Sequence, residues 1–163
     1  MKLFKWIFKF FIGVCGLIFL AYAIGYFLPE KHKASVTQEL DLPAVKTWQL
    51  ITDFEQLPKW RSNIASVKQI SPTTWVEINH QNEQIKYEQI EKTDQKRLVT
   101  QIASKGLPYS GNWIFTVKPT GDRSILTIEE QGQVYNPLFR FVAKFIIGHK
   151  SSINQYIEDL QKI

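Results

Sequence analysis

Residues 137–162 read PLFRFVAKFIIGHKSSINQYIEDLQK. Apolar side chains recur at Leu138, Phe141, Val142, Phe145, Ile146, Ile153, Tyr156, Ile157 and Leu160, with His149 on the same stripe. Steps of three and four place them on one face of a long helix. Asn136 is a good N-cap, and Pro137 suits the first helical position, where its missing N–H would be unpaired anyway. At ~1.5 Å per residue the helix is roughly 39 Å long. One apolar face needs something to cover, and what precedes it is almost entirely strands.

Ala34–Leu42 alternates, with Val36, Gln38, Leu40 and Leu42 on one face, so Gln38 is the first polar side chain aimed inward. Pro43 opens a helix to about Thr52. Asp53 and Gln56 have capping-box spacing for a short helix that Pro58 stops. Six strands follow: Ile64–Ile70, Thr74–His80, Gln84–Lys92, Arg97–Ala103, Ser110–Lys118 and Arg123–Val134. Their spacing and polar turns argue one antiparallel meander. In the last two, Gly111, Trp113, Phe115 and Val117 share a face, as do Leu126, Ile128, Glu130, Gly132 and Val134. The expected class is α+β: a curved antiparallel sheet wrapped around the C-terminal helix, with a cavity between them.

The N-terminus reads differently. Trp6–Leu28 contains one charged residue, Lys9, and exceeds the ~20 residues that cross a bilayer. Trp6 and Tyr26 fit interfacial anchoring. The chain therefore divides into an anchor and short stalk, 1–33 with the span at about 6–28, and a domain, 34–163. The Lys excess on the N-terminal side places that end in the cytoplasm and the domain outside it, in the periplasm if the source is a Gram-negative bacterium. The competing reading is a signal peptide cut after Ala21-Tyr22-Ala23; the apolar run continues through Leu28, past that point.

Of the net charge of +5, Lys2, Lys5, Lys9, Lys31 and Lys33 against Glu30 account for all but one unit. The basic character belongs to the membrane flank, the domain is nearly neutral, and no nucleic-acid partner is expected. The single cysteine, Cys15, allows no disulfide framework within one chain. His32, His80 and His149 lack companions at ligand spacing, and no Gly-rich phosphate loop occurs, so no metal and no cofactor is expected.

Four segments carry a family resemblance: Asp41-Leu42-Pro43-Ala44-Val45 with Trp48 and Leu50-Ile51-Thr52-Asp53-Phe54; Leu57-Pro58-Lys59-Trp60; Gly111-Asn112-Trp113-Ile114-Phe115; and the C-terminal helix. In that order and spacing the chain resembles the START-like, helix-grip (SRPBCC) superfamily, in its membrane-anchored polyketide cyclase/dehydrase-like branch. The resemblance implies a helix-grip fold with an internal hydrophobic pocket, in a superfamily that carries lipids, sterols, quinones and polyketides. No universal catalytic residue comes with it.

The candidate pocket residues are Gln38, Tyr87, Trp113, Phe115, Glu130, Phe141, Phe145 and His149. An aromatic wall with few polar groups suits an apolar or amphipathic ligand. Glu130 lies on an apolar strand face; a carboxyl buried without a partner holds its proton tightly and can serve as a general acid or base. His149 faces it from the helix. The loop Ser104–Tyr109 could gate the opening. Three readings stand: membrane-tethered binding or transport of a lipid-like small molecule; a cyclase-, dehydratase- or hydrolase-type enzyme using Glu130 and His149; and a non-catalytic interaction module with a filled core.

Overall fold

The computed structural model describes residues 2–163, with side-chain surroundings from Lys5 onward. It opens with α1 (Lys2–Phe27), 26 residues of almost unbroken apolar sequence. After Pro29 and Glu30 comes β1 (Lys31–Leu40). The strand thus begins inside the expected stalk, because Lys31 and His32 pair with Gln133 and Gly132. Then follow α2 (Ala44–Thr52), a 3₁₀ turn (Phe54–Gln56) and α3 (Leu57–Trp60). The side chain of Asp53 makes no capping bond, and Pro58 lies in the first turn of α3, where a missing N–H costs least, rather than stopping a helix.

Six strands complete the sheet: β2 (Ile64–Ser71), β3 (Thr74–Asn79), β4 (Gln84–Thr93), β5 (Arg97–Ile102), β6 (Tyr109–Thr120) and β7 (Arg123–Val134). The order is β1-β7-β6-β5-β4-β3-β2, antiparallel throughout. Register shifts in β2, between Ile64 and Ser66 and between Gln69 and Ser71, and in β4, between Gln89 and Glu91, bend the β2–β4 side.

The C-terminal helix arrives in pieces. α4 (Pro137–Val142) is capped as its sequence predicts, with the Asn136 side chain accepting from the N–H groups of Leu138 and Phe139. A π-helical turn, Ala143–Ile147, follows. Gly148 then adopts φ 83°, a conformation open to glycine at little cost, and ends the helix. α5 (Ser151–Leu160) starts afresh. The wide turn and the break rotate the stripe out of phase. Ile153, Tyr156, Ile157 and Leu160 are buried as the periodicity predicts, whereas Phe145, Ile146 and Ile147 are 58%, 70% and 61% exposed.

The core lies between α2, α5 and the inner faces of β1 and β5–β7, centred on Leu40, Ile51, Leu98, Leu126, Ile128 and Ile153. Asp159, 1% exposed, fastens α5. Its Oδ2 accepts from the N–H and hydroxyl of Ser62, both at 2.9 Å, and its Oδ1 accepts from Gln155 and Lys162.

α1 is docked rather than loose. A Cβ on Gly25 would overlap the carbonyl of Pro137, so the glycine lets α1 and α4 cross backbone to backbone. Arg140, buried, donates from Nη1 to the carbonyls of Leu28 (2.8 Å) and Tyr26 (3.5 Å), and from Nη2 to the Tyr135 carbonyl (3.1 Å) and the Glu30 carboxylate (3.4 Å). A helix end leaves its last carbonyls unpaired, and a cation there also suits the helix dipole.

Asp159 supplies the first prediction. Burial acts to raise its carboxyl, but the Ser62, Lys162 and Gln155 bonds prevail and hold it below the usual value of 3.8. Its contribution is therefore fully present above that pH and lost as pH falls through the depressed value. Asp159→Ala should cost about 3 kcal/mol at neutral pH, for lost charge-assisted bonds and a stranded Ser62 N–H. Denaturant melts check this, and the gap from wild type should narrow below about pH 3.8.

Candidate functional site

The π turn and the Gly148 break lift the chain away from the bent half of the sheet and leave a cavity of about 450 Å³. Its apolar lining comes from Ile85, Ile102 and Trp113 on the sheet and from Phe139, Val142 and Ile147 opposite. Pro108 and Tyr109, at the end of the loop singled out as a gate, lie on its edge. A deeper pocket of about 60 Å³, under Phe54, Trp75 and Phe115, shares Arg61, Glu77, Tyr87 and Trp113 with it. The two adjoin across those four side chains, the smaller as a narrow floor beneath the larger.

Tyr87, Trp113, Glu130 and His149 line the cavity, and Phe115 lines the floor. Gln38, Phe141 and Phe145 do not. Gln38 turns its amide to the Glu39 carbonyl (3.0 Å). Phe141 and Phe145 pack on each other, ring centroids 5.1 Å apart, and Phe145 lies in the π turn, which carries it off the inner stripe. Phe139, Val142 and Ile147 take the expected places.

Glu130 faces inward on β7, and it has a partner. His32 Nε2 lies 3.1 Å from Glu130 Oε1. The His32 ring stacks on His149, centroids 4.1 Å apart and planes 22° from parallel. Gly132 is the seat, since a Cβ there would strike the His32 ring. Burial, then His32 and Lys144, hold the His149 imidazole below its usual 6.5. The histidine pair therefore separates Glu130 from His149. His32 is legible in hindsight: it continues the alternation of Ala34 and Val36 backward by one step.

The polar groups nearest the floor lie on elements read only as framework. Glu77 follows Trp75 by two on β3 and shares its inward face; its Oε1 accepts from the Trp75 indole at 3.1 Å. Burial pushes the Glu77 carboxyl up, against the opposing pull of Arg61 and that indole bond. Burial likewise raises the phenols of Tyr87 and Tyr156, which stay protonated donors. The Arg61 guanidinium lies over the Tyr156 ring, 4.5 Å from its centroid. No group of three or more His, Cys, Asp or Glu among the described residues could hold a metal ion.

Residues 31–153 match the profile of the family described as polyketide cyclase/dehydrase and lipid transport. A START superfamily protein from Mycobacterium smegmatis superposes with a TM-score of 0.66 at 16% identity, covering 80% of this chain and 95% of that one. Norcoclaurine synthase from Thalictrum flavum gives 0.64 at 14% identity, over 81% and 85%. The protein XoxI from Bacillus cereus gives 0.61 at 19% identity, over 80% and 93%. At these identities the likeness is one of fold. A search of curated proteins returns no match.

The histidine stack yields a pH prediction. A histidine whose folded value is depressed adds nothing above its unfolded value of 6.5 and destabilises as pH falls below it, because the unfolded chain takes up the proton first. Wild-type Tm should decline from pH 6.5 toward about 5, and His149→Gln should flatten that decline. An unchanged slope would place the titration elsewhere.

Proposed function

The chain belongs to the polyketide cyclase/dehydrase and lipid transport family, and we propose that within it this protein is a membrane-tethered binding protein for a hydrophobic, lipid-like small molecule. One observation carries the reading. An apolar helix whose most apolar 18-residue window has no buried residue is clasped beside a cavity whose rim exposes further apolar side chains. A helix apolar all round hides its surface in lipid or in a protein interior. Its span, Lys5–Phe27, is 23 residues long, and its most apolar 18-residue window has a mean hydropathy of 2.3.

The Gly25–Pro137 crossing and the Arg140 bonds place α4 against the C-terminal end of α1. Phe139, Phe145, Ile146 and Ile147 then lie close to where that helix would leave the hydrocarbon. Singly, exposed apolar residues need no explanation; a cluster beside a membrane span suits partial immersion. The mouth would open toward the bilayer, so a membrane-derived ligand would meet it at high effective concentration. The Lys flank favours a cytoplasmic N-terminus with the domain on the other side.

The cavity speaks against a filled interaction module. Glu130 and His149 do share a wall, as a catalytic pair would have to. Glu130, however, already bonds His32, which favours a held histidine over a poised acid.

The full chain in nanodiscs carrying diazirine-labelled hexadecanol tests this. Illumination should label β-strand peptides containing Ile85 and Trp113. Ala143→Trp, which places an indole in the cavity, should cut that labelling at least tenfold and leave labelling of α1 unchanged. Labelling confined to α1 in the wild type would contradict the reading.

A further inference from the structure

Arg61 lines both the cavity and its floor. It follows α3 directly. Its N–H donates to the Leu57 carbonyl at 2.8 Å, and its own carbonyl accepts from Ile64 at 3.2 Å, so the backbone position is fixed from both sides. The guanidinium then reaches into the junction of the cavity and its floor. Its Nε is buried with no hydrogen-bond partner. It forms no ion pair with any described residue, whereas Arg97, Arg123 and Arg140 each pair with a carboxylate. The Tyr156 face beneath it supplies attraction but no acceptor.

Arg61 is half-buried; a guanidinium nitrogen buried without an acceptor is costly, and the planar fork matches a carboxylate. Glu77, the acid that feels the Arg61 charge, keeps its Oε1 on the Trp75 indole, and burial favours its neutral form. No ion pair joins the Glu77 carboxyl to the Arg61 guanidinium. The phenols of Tyr87 and Tyr156 bound the same space.

We propose that Arg61 is the head-group anchor of the ligand site: it receives the carboxylate of an amphipathic acid whose apolar chain runs toward Val142 and Ile147. One cation suits a monoanion, and a floor of about 60 Å³ suits a group as small as a carboxylate. The inference rests on the cavity reading and narrows it from lipid-like molecules to monocarboxylic ones.

The test is competition against diazirine-labelled hexadecanol on the full chain in nanodiscs, with competitors compared at equal mole fraction in the bilayer. Hexadecanoic acid should block labelling of the Trp113 peptide at one-tenth or less of the hexadecanol needed. Arg61→Gln should erase that preference while hexadecanol competes within twofold of its wild-type level. Arg61→Lys should keep part of the preference. Equal competition by acid and alcohol in the wild type overturns the proposal and leaves the cavity reading standing. Equal weakening of both in Arg61→Gln also overturns it, by showing that Arg61 only supports Tyr156. If neither compound competes, the cavity reading falls and this inference with it.

Discussion

The guanidinium of Arg140 closes the C-terminal end of α1. It fills carbonyls that the helix itself leaves open, and it also holds the carbonyl of Tyr135, where β7 hands over to α4. With Gly25 crossing Pro137, it fastens the first helix to the element that roofs the cavity. Leu28, Pro29 and Glu30 alone separate α1 from β1, and β1 pairs along its whole length with β7. The chain is thus fixed to the domain on both sides of that link. A flexible stalk would let helix and domain move independently; this link fixes the angle between them.

The second constraint is the interruption of the C-terminal helix. An unbroken helix would have pressed Phe141, Phe145 and Ile146 onto the sheet and filled the space. The π turn and Gly148 instead turn Phe145 and Ile146 outward and leave Phe139, Val142 and Ile147 around a void. Beyond the break the stripe resumes, and Ile153, Tyr156 and Leu160 seal the other half of the domain with α2. One half is solid core and gives stability. The other is hollow.

Much of this was legible in the sequence, for physical reasons. Strand alternation put Trp113, Phe115 and Glu130 on inward faces, and the Asn136 cap and the spacing from Ile153 to Leu160 fixed where the last helix begins and which face it buries. Three things were not legible. Continuous three-and-four spacing through Gly148 looks the same whether or not the helix breaks, because periodicity does not record a backbone turning to positive φ. His32 fell in a segment too polar to read as strand, and it became one only through the length of β7. Arg61 and Glu77 sit 16 positions apart with no motif between them. A turn and a strand bring them together, and no local pattern reports that.

The central claim is that anchor and domain form one body with the cavity mouth on the bilayer. Its most direct measurement is the depth of a spin label at Ile146. The full chain would carry Cys15→Ala and Ile146→Cys, in nanodiscs, with collisional relaxation by oxygen compared against a water-soluble nickel chelate. The account predicts a label relaxed more by oxygen than by nickel, at the depth of the headgroup–acyl boundary. A label relaxed chiefly by nickel, as at an exposed control such as Lys118→Cys, would put the mouth in water and contradict it.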